Sequence, residues 1–521
     1  MRQAQRALIS VSDKEGVVGF ARGLVELGVE IISTGGTLAH LQGKGIDAKP
    51  VSAVTESPEI LGGRVKSLHP RIHGGILADR SNEAHMAELE EQGITPIDIV
   101  AVNLYPFEKT VSNEGTTEAE AVEMIDIGGP CMTRAAAKNW DGVVVVVDPG
   151  DYDAVLEALQ TGNGTVPADL RRELALKAFR HTQAYDAAIV EWLSGSTDDA
   201  GLPAEDGDLP SHKTLVIEKL FAPRYGENPH QSAGIYSIVG GPGVFGGFEK
   251  LQGKELSWNN MLDADAARKL AALFEEPTVA ILKHNNPCGV GSGSDLREAY
   301  ERALACDPVS AYGSVIAVNR PVDGDLAEAM RKLFVEVMIA DSFSEEALEI
   351  YGRKKNLRVI RCPYYAMEEG AVELRGIDGG FIAQTPDGLA LDSSHWTCPT
   401  EKKPDDEQRR ALEFVWRVTR YVKSNAIVLA NAVQSIGVGA GQMSRVDSCR
   451  LAIQKAVLPV EGSVAGSDAF FPFRDGVDVL ADAGVTAIVQ PGGSVRDDEV
   501  VAAADERGIL MMLTGRRHFR H

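Results

Sequence analysis

The chain has 521 residues, 44% of them hydrophobic and 24% charged. At roughly 100–200 residues per domain this is too long for one simple core and implies two to four domains of an ordinary globular kind. The formal net charge of -23 excludes a general nucleic-acid binder, because neutralising phosphates takes a basic surface. A small anionic substrate, which needs only a local pocket of Lys, Arg and backbone N–H groups, stays open.

The start, MRQAQRALISVSD, has no signal-peptide apolar stretch. Runs such as IVAVNLY and VVVVV fall far below the ~20 residues of a membrane helix, so the expected location is cytoplasmic. Residues 7–11 (ALISV) predict a buried strand, and 14–27 carry apolar residues at helical spacing. Residues 30–33 predict a second strand, followed by Thr34-Gly35-Gly36-Thr37 and another helix. Residues 97–104 and 143–147 are further buried strands. Apolar runs separated by helices predict a parallel sheet covered on both faces. Residues 170–193, opened by Pro167-Ala168-Asp169, predict a long helix.

Three features of this part converge on a phosphate. Ser12-Asp13-Lys14 follows the first strand and opens a helix, and Ser33-Thr34-Gly35-Gly36-Thr37 does the same after the second. Glycine there lets backbone N–H groups approach an anion at a helix N-terminus. Gly62-Gly63-Arg64-Val65-Lys66-Ser67-Leu68-His69-Pro70 adds two cations beside a glycine turn. Taken singly, a Gly-Gly at a helix start is an ordinary turn. Downstream, Asn103 and Tyr105 stand at the carboxyl end of the 97–104 strand, where open α/β sheets bind ligands. Asp126 precedes Gly128-Gly129, and Lys138 could complete an acid–base group with Asp126, Tyr105 and Lys66. The plainer alternatives are a helix N-cap for Asp126 and a solvated helix face for Lys138.

The ordered set SVSDK, STGGT, GGRVKSLHP, NLYPF, IDIGG and RAAAKN resembles the IMP cyclohydrolase domain of the bifunctional purine-biosynthesis family. Its glycine-rich phosphate site also looks like that of the wider methylglyoxal-synthase-like fold. The resemblance implies ring closure of formyl-AICAR (FAICAR) to IMP with loss of water. It implies a nucleotide site at Ser12, Asp13, Lys14, Thr34, Gly35, Gly36, Thr37, Arg64, Lys66, Ser67, Asn103 and Asp126. It puts Lys66, Tyr105, Asp126 and Lys138 around the reacting atoms, with Lys138 as the expected proton-transfer residue. Ser67 stands where some relatives carry Thr.

Residues 194–210 (SGSTDDAGLPAEDGDLP) are polar, acidic and rich in Gly and Pro, as a linker is. The expected division is residues 1–195, a linker over 196–212, and a second α/β part over 213–521. Its strands are expected at 279–282, 314–318, 426–429, 487–489 and 508–513. Its length suits two subdomains. Arg224-Tyr225-Gly226-Glu227-Asn228-Pro229-His230-Gln231 alone reads as a polar turn. Lys283-His284-Asn285-Asn286-Pro287-Cys288-Gly289 closes an apolar strand, as either a catalytic loop or a surface pair. Further on come Ser310-Ala311-Tyr312-Gly313, Lys423-Ser424-Asn425, GAGQMSR ending at Ser444-Arg445, DAFFPFRD from Asp468 to Asp475, and the RRHFRH tail. The six cysteines include no CxxC and read as reduced thiols.

As an ordered set these motifs look like the AICAR transformylase domain of the same bifunctional family. The resemblance implies a duplicated cytidine-deaminase-like fold without its zinc chemistry, since neither CxxC nor a matching HxE is present. It implies formyl transfer from 10-formyltetrahydrofolate as co-substrate, with Lys283 and His284 catalytic. Arg224, Tyr225, Lys355 and Arg517 would face the phosphate or its surroundings. Asn425, Ser444, Arg445, Phe470 and Asp475 would shape the nucleotide and folate site, with Gly313 nearby. Tyr312 stands where some relatives have Phe, and Glu336 where some have Asp.

By the same resemblance a homodimer is expected, with transformylase sites at the subunit interface, and a structural potassium near Asp468. The chemistry is coherent. An imidazole takes the amine proton near neutral pH, and an ammonium stabilises the developing oxyanion. Two other readings remain: a zinc-dependent nucleobase deaminase, which the missing ligands oppose, and a non-catalytic nucleotide-binding regulator, which the Lys66, Tyr105, Asp126 and Lys138 set, with Lys283-His284, opposes.

Overall fold

The computed structural model describes residues 2–113, 115–194, 209, 214–239, 241–363, 372–388 and 391–521. The chain divides into two compact units, Met1–Thr214 and Leu215–His521. The expected linker over 196–212 lies outside the described residues except for Leu209. Among the described residues no helix is long and apolar enough to cross a membrane.

The first unit is built on five parallel strands: β1 (Arg6–Val11), β2 (Glu30–Ser33), β3 (Ala48–Pro50), β4 (Ile99–Asn103) and β5 (Val144–Val146), in the order β3-β2-β1-β4-β5. β4 and β5 are continuous Val/Ile/Ala runs because helices cover both faces. From β1 the chain moves outward to β2 and β3, then returns to β4 on the other side. The carboxyl ends of β1 and β4 therefore flank the topological switch point, where such sheets open a crevice.

The first helix spans Val17–Glu26 rather than starting at residue 14. The Ser12 and Asp13 amides are held by the Asn103 side chain, and Gly16 takes φ 65° just before the first turn. Those residues therefore face the crevice as loop. The long helix, Ala168–Ser194, is anchored by the buried Arg171, which bonds the Trp140 carbonyl at 3.0 Å.

The second unit repeats one pattern twice. It opens with a hairpin of β6 (Ile217–Phe221) and β7 (Ile235–Ile238). A six-stranded sheet follows: β8 (Glu249–Gln252), β9 (Thr278–Lys283), β10 (Asn286–Ser292), β11 (Ser314–Val318), β12 (Val335–Ala340) and β13 (Arg358–Arg361), ordered β10-β9-β11-β12-β13-β8. After the hairpin of β14 (Glu373–Ile377) and β15 (Gly380–Gln384) come β16 (Ile427–Ala430), β17 (Ser435–Gly439), β18 (Val464–Ser467), β19 (Ala487–Gln490) and β20 (Leu510–Leu513), ordered β17-β16-β18-β19-β20. Leaving β8 aside, the two orders coincide. In each, the first strand is antiparallel to the second and third, and the last three are parallel.

The glycines repeat as well. A Cβ on Gly289 or Gly291 would come within 1.9 Å of the Ala303 carbonyl or 2.4 Å of the Ala299 carbonyl of the Leu296–Cys306 helix. On Gly437 or Gly439 it would meet the carbonyls of Ala452 at 2.2 Å or Ser448 at 2.0 Å, on the Arg445–Lys455 helix. Only glycine lets helix and strand backbones approach so closely. The two halves share one core. In it Ala264, Ala267 and Leu270 of the Trp258–Ala271 helix cluster with Phe414, Val415 and Val418 of the Asp406–Thr419 helix. Their edges also meet: the Ser292 N–H donates to the Val433 carbonyl and the Val290 N–H to Ser435 Oγ, both at 2.8 Å.

Candidate active sites

At the switch point of the first unit, Asn103 Oδ1 accepts the amides of Ser12 (2.6 Å) and Asp13 (2.9 Å), and its Nδ2 donates to the Asp13 carbonyl (3.0 Å). One side chain thus shapes the turn after β1. Lys14 Nζ folds back to the Ser12 carbonyl at 3.3 Å. Thr34 precedes the Gly35–Gly43 helix, and its hydroxyl shares a hydrogen bond with Ser10 at 2.7 Å. Lys66 lies across two glycines. A Cβ on Gly35 would stand 3.2 Å from Lys66 Nζ, and one on Gly63 2.6 Å from its Cε. The ammonium, which also pairs with Glu59 at 3.4 Å, lies beside the exposed start of that helix, including Gly36, whose free amides favour an anion. Arg64 is exposed at the rim and paired with Glu123.

Asp126 and Ser67 approach from the other side of the crevice. Ser67 is 5% exposed, and its hydroxyl lies 3.1 Å from where a Gly128 Cβ would be. Asp126 Oδ1 accepts the Gly129 amide at 2.8 Å. The Asp126 amide donates to Tyr185 Oη at 2.7 Å, and that hydroxyl donates to the Met124 carbonyl at 2.9 Å. Burial pushes the Asp126 carboxyl up, and the amides of Gly129 and Gly128 oppose the rise. Tyr105, at the end of β4 and 46% exposed, contributes with Asp126 to the field that, together with burial, raises the Tyr185 phenol.

Two of the expected residues stand apart from these contacts. Thr37 is 4% exposed, and its hydroxyl accepts from the Val11 amide (3.1 Å) and donates to the Val11 carbonyl (2.8 Å). It ties β1 to the following helix and offers the nucleotide no free hydroxyl. Lys138 is the last residue of the Gly128–Lys138 helix, which Asp126 precedes. At a rise of ~1.5 Å per residue that helix carries Lys138 about 15 Å from Gly128. The next residue, Asn139, bonds the carbonyls of Ile76 and Ala78. Lys138 therefore sits at the far end of its helix from Asp126, as an exposed basic residue in a last turn.

In the second unit, Lys283 ends β9 and its Nζ donates to the Tyr312 carbonyl at 2.8 Å. Tyr312 is 62% exposed and packs on Phe334, while Gly313 takes φ 77° and donates to the Phe334 carbonyl. His284 is exposed. Asn286 Oδ1 accepts the Lys423 amide at 2.9 Å, which joins the loop after β9 to the segment before β16. Burial, with Arg520 and Arg375 nearby, pushes the Lys423 ammonium down. Asn425 Oδ1 then accepts Arg445 Nη2 at 2.6 Å, and Arg445 pairs with the fully buried Asp468. The chain Lys283–His284, Asn286, Lys423, Asn425, Arg445, Asp468 thus bridges both halves of the duplication. Phe470, 38% exposed, follows Asp468 by two residues.

The remaining predicted residues stand around this chain. Glu336 accepts Asn260 Nδ2 at 2.8 Å and pairs with Arg358 at 3.6 Å. Ser444 stands at the N-cap position of the Arg445–Lys455 helix without a side-chain capping bond, and Asp475 opens the Asp475–Asp482 helix. Arg224 stacks over Tyr225, and Arg517 over Phe519. Lys355 is exposed in the loop before β13. Among the described residues, no hydrogen bond or ion pair joins Arg224, Tyr225, Lys355, Asp475 or Arg517 to Lys283 or His284.

Asp263 was not singled out from the sequence, yet its carboxylate accepts the His284 and Asn285 amides. The available signal was the spacing Ser257-x-x-Asn260-x-x-Asp263, a capping box followed by a residue one turn on along the same face. Among the described residues, no three His, Cys, Asp or Glu side chains are grouped to hold a metal ion.

The AICARFT/IMPCHase bienzyme family matches over residues 136–455, and the MGS-like domain over residues 16–131. A "Bifunctional purine biosynthesis protein PurH" of Halalkalibacterium halodurans is 49% identical over 518 residues, covering 99% of this chain and all of that relative. The chain belongs to the AICARFT/IMPCHase bienzyme family. Proteins of the same name from Bacillus cereus and Bacillus mycoides match at the same identity and coverage. The crystal structure of ForH aligns over 36% of this chain and 99% of its own, at 39% identity and a TM-score of 0.34. As a family member the chain is a bifunctional purine-biosynthesis enzyme, with AICAR formyltransferase and IMP cyclohydrolase activities that together complete the last two steps, and with a formyl-folate co-substrate.

Proposed function

We propose that Lys283 and His284 carry formyl transfer from 10-formyltetrahydrofolate to AICAR, and that Asp126, Tyr105 and Lys66 carry ring closure of FAICAR to IMP. The carrying observation is the bridged chain from Lys283–His284 through Asn286 and Lys423 to Asn425 and Arg445. The 5-amino group of AICAR is a poor nucleophile because its lone pair is delocalised into ring and carboxamide. His284 accepts its proton as the nitrogen attacks the formyl carbon. Lys283 stabilises the oxyanion and protonates the folate nitrogen as it leaves. In the second step the FAICAR carboxamide nitrogen attacks the formyl carbon and passes one proton to Asp126, while Tyr105 or Lys66 protonates the oxyanion; the resulting hydroxyl departs as water with the proton held by Asp126, as the formamide N–H proton returns to Tyr105 or Lys66 and the C=N bond forms. The phosphate rests on the start of the Gly35–Gly43 helix with Lys66, flanked by Ser12, Asp13, Lys14, Thr34, Arg64, Ser67 and Asn103.

We assign a homodimer, in which Arg224, Tyr225 and Lys355 reach the partner's transformylase site. The support is apolar surface on two lone hairpins. Ile217, Leu220, Tyr236 and Ile238 are exposed on β6–β7, and Leu374, Ile377, Phe381 and Ile382 on β14–β15. A two-stranded hairpin is marginal by itself. We place the enzyme in the cytoplasm.

A structural potassium near Asp468 fits an asymmetry between the repeats. After β11, Asn319 accepts the Thr278 amide and gives its own N–H groups to the Phe274 and Glu276 carbonyls. After β18, Asp468 accepts the Ala426 amide in the same way. A carboxylate has no N–H to give, and Asp468 Oδ2 is buried without a hydrogen-bond partner. Arg445 pairs with Oδ1, and a cation beside Oδ2 would give that oxygen the partner it lacks.

The deciding measurement is IMP formation from AICAR plus formyl-folate, and separately from FAICAR. His284→Ala is expected to abolish the first and keep the second. Asp126→Asn is expected to convert AICAR to FAICAR but form no IMP. Formyl transfer by a folded His284→Ala chain overturns the assignment.

A further inference from the structure

β9 ends at Lys283 and β10 begins at Asn286, with those two residues paired. Only His284 and Asn285 connect them, with φ 55° and 60°. A two-residue antiparallel connection with both φ positive is a type I′ turn, usually filled by Asn-Gly. Asn tolerates the left-handed region. Histidine enters it more often than most side chains but still at a cost, so an external restraint helps to hold the turn.

The Trp258–Ala271 helix supplies one. Asp263 Oδ2 accepts the His284 amide at 3.2 Å, and Oδ1 accepts the Asn285 amide at 2.7 Å. The carboxyl is half-buried; burial pushes it up, and the two amides and the nearby imidazole oppose the rise. On the other side, Asn286 Nδ2 donates to the His284 carbonyl at 3.2 Å. Both peptide groups flanking His284 are thereby fixed, while its imidazole stays exposed.

We propose that Asp263 is a positioning residue for formyl transfer: by clamping the His284-Asn285 turn through both amides, it aims the His284 imidazole and the neighbouring Lys283. This rests on His284 serving as the base. Charge-assisted bonds to two successive amides resist rotation of the intervening backbone more than one bond would. A shift of about 1 Å in the base costs on the order of 10²-fold in rate.

The test uses the full chain: ring closure reports the first unit, and the thermal midpoint of the second unit reports whether that unit is folded. Asp263→Ala is expected to lower kcat for formyl transfer on the order of 10²-fold. KM for AICAR should stay within about threefold, a split that loss of uniform binding does not give. FAICAR closure should be unchanged. Adding Asn285→Gly, which takes positive φ without a Cβ penalty, is expected to recover about tenfold in kcat. His284→Ala is measured in parallel. If it remains active, the reading of His284 fails. If it is inactive while Asp263→Ala keeps kcat within about twofold of the parent, the clamp fails instead. A KM rise at unchanged kcat, or no recovery by Asn285→Gly, also overturns the clamp. Should Asp263→Ala not fold, Asp263→Asn decides: it keeps one acceptor and sets an N–H against the other amide. It should lose about tenfold in kcat, and parent kcat overturns the proposal.

Discussion

Asn319 and Asp468 differ by an amide against a carboxylate, and that difference changes what the surrounding backbone needs. The amide satisfies two carbonyls by itself. The carboxylate holds Arg445 and leaves Oδ2 unpartnered. Exchanging K⁺ for tetramethylammonium is expected to lower the thermal midpoint of the second unit by about 5 °C, from mass action on the native state. Asp468→Asn should remove that dependence, because its amide replaces the cation. Scanning calorimetry in the two salts checks both, and an unchanged midpoint for the parent chain sinks the cation site. At this scale the sequence was legible where a residue sat in a dense motif, as Lys283-His284 and Asn103 did. It was not legible for Asp263, which reads as a solvated acid in LDADAA until the fold sets it under a turn. Lys138, near Asp126 in sequence, is carried to the far end of a rigid helix within the one chain.

Among elements, buried parallel strands announced themselves. The expected strands at 30–33 and 314–318 coincide with β2 and β11, since continuous apolar runs have no second explanation in a polar chain. β6, β7, β14 and β15 escaped because they are exposed and carry no core pattern. The duplication was expected from the family resemblance and not from any repeat read in the residues, although Gly289-Val290-Gly291 and Gly437-Val438-Gly439 are its trace in the sequence. These glycines act through helix position. In Gly439→Ala the new methyl would meet the Ser448 carbonyl and push away the helix that presents Arg445. We expect a loss of ~3 kcal/mol and of formyl transfer, with FAICAR closure kept. Gly19→Ala, where nothing lies within 4 Å of the added carbon, is the control and should be neutral or slightly stabilising. Denaturant titration followed by the two assays separates the cases, and an unaffected Gly439→Ala chain refutes the packing argument.

For the whole molecule, the resemblance anticipated two activities, while composition supplied only the class of protein. What one chain does not display is how Arg224, Tyr225 and Lys355 would meet Lys283–His284. A site completed by a second copy makes a sharp prediction. His284→Ala and Arg224→Ala chains, each deficient in formyl transfer, should regain part of it after being denatured and refolded together. Light scattering should show a particle of twice the 55.8 kDa chain mass. Absence of recovery in a refolded dimeric mixture overturns the shared site.

The meeting of β10 and β17 has a further consequence. Each is the outermost strand of its sheet, and an outermost strand is a template on which other chains can polymerise. Here each covers the other: the Ser292 amide is occupied by Val433 and the Val290 amide by Ser435. Severing the copies would uncover two sticky margins at once. A lone half would need another copy of itself, or a different shield, to remain dispersed.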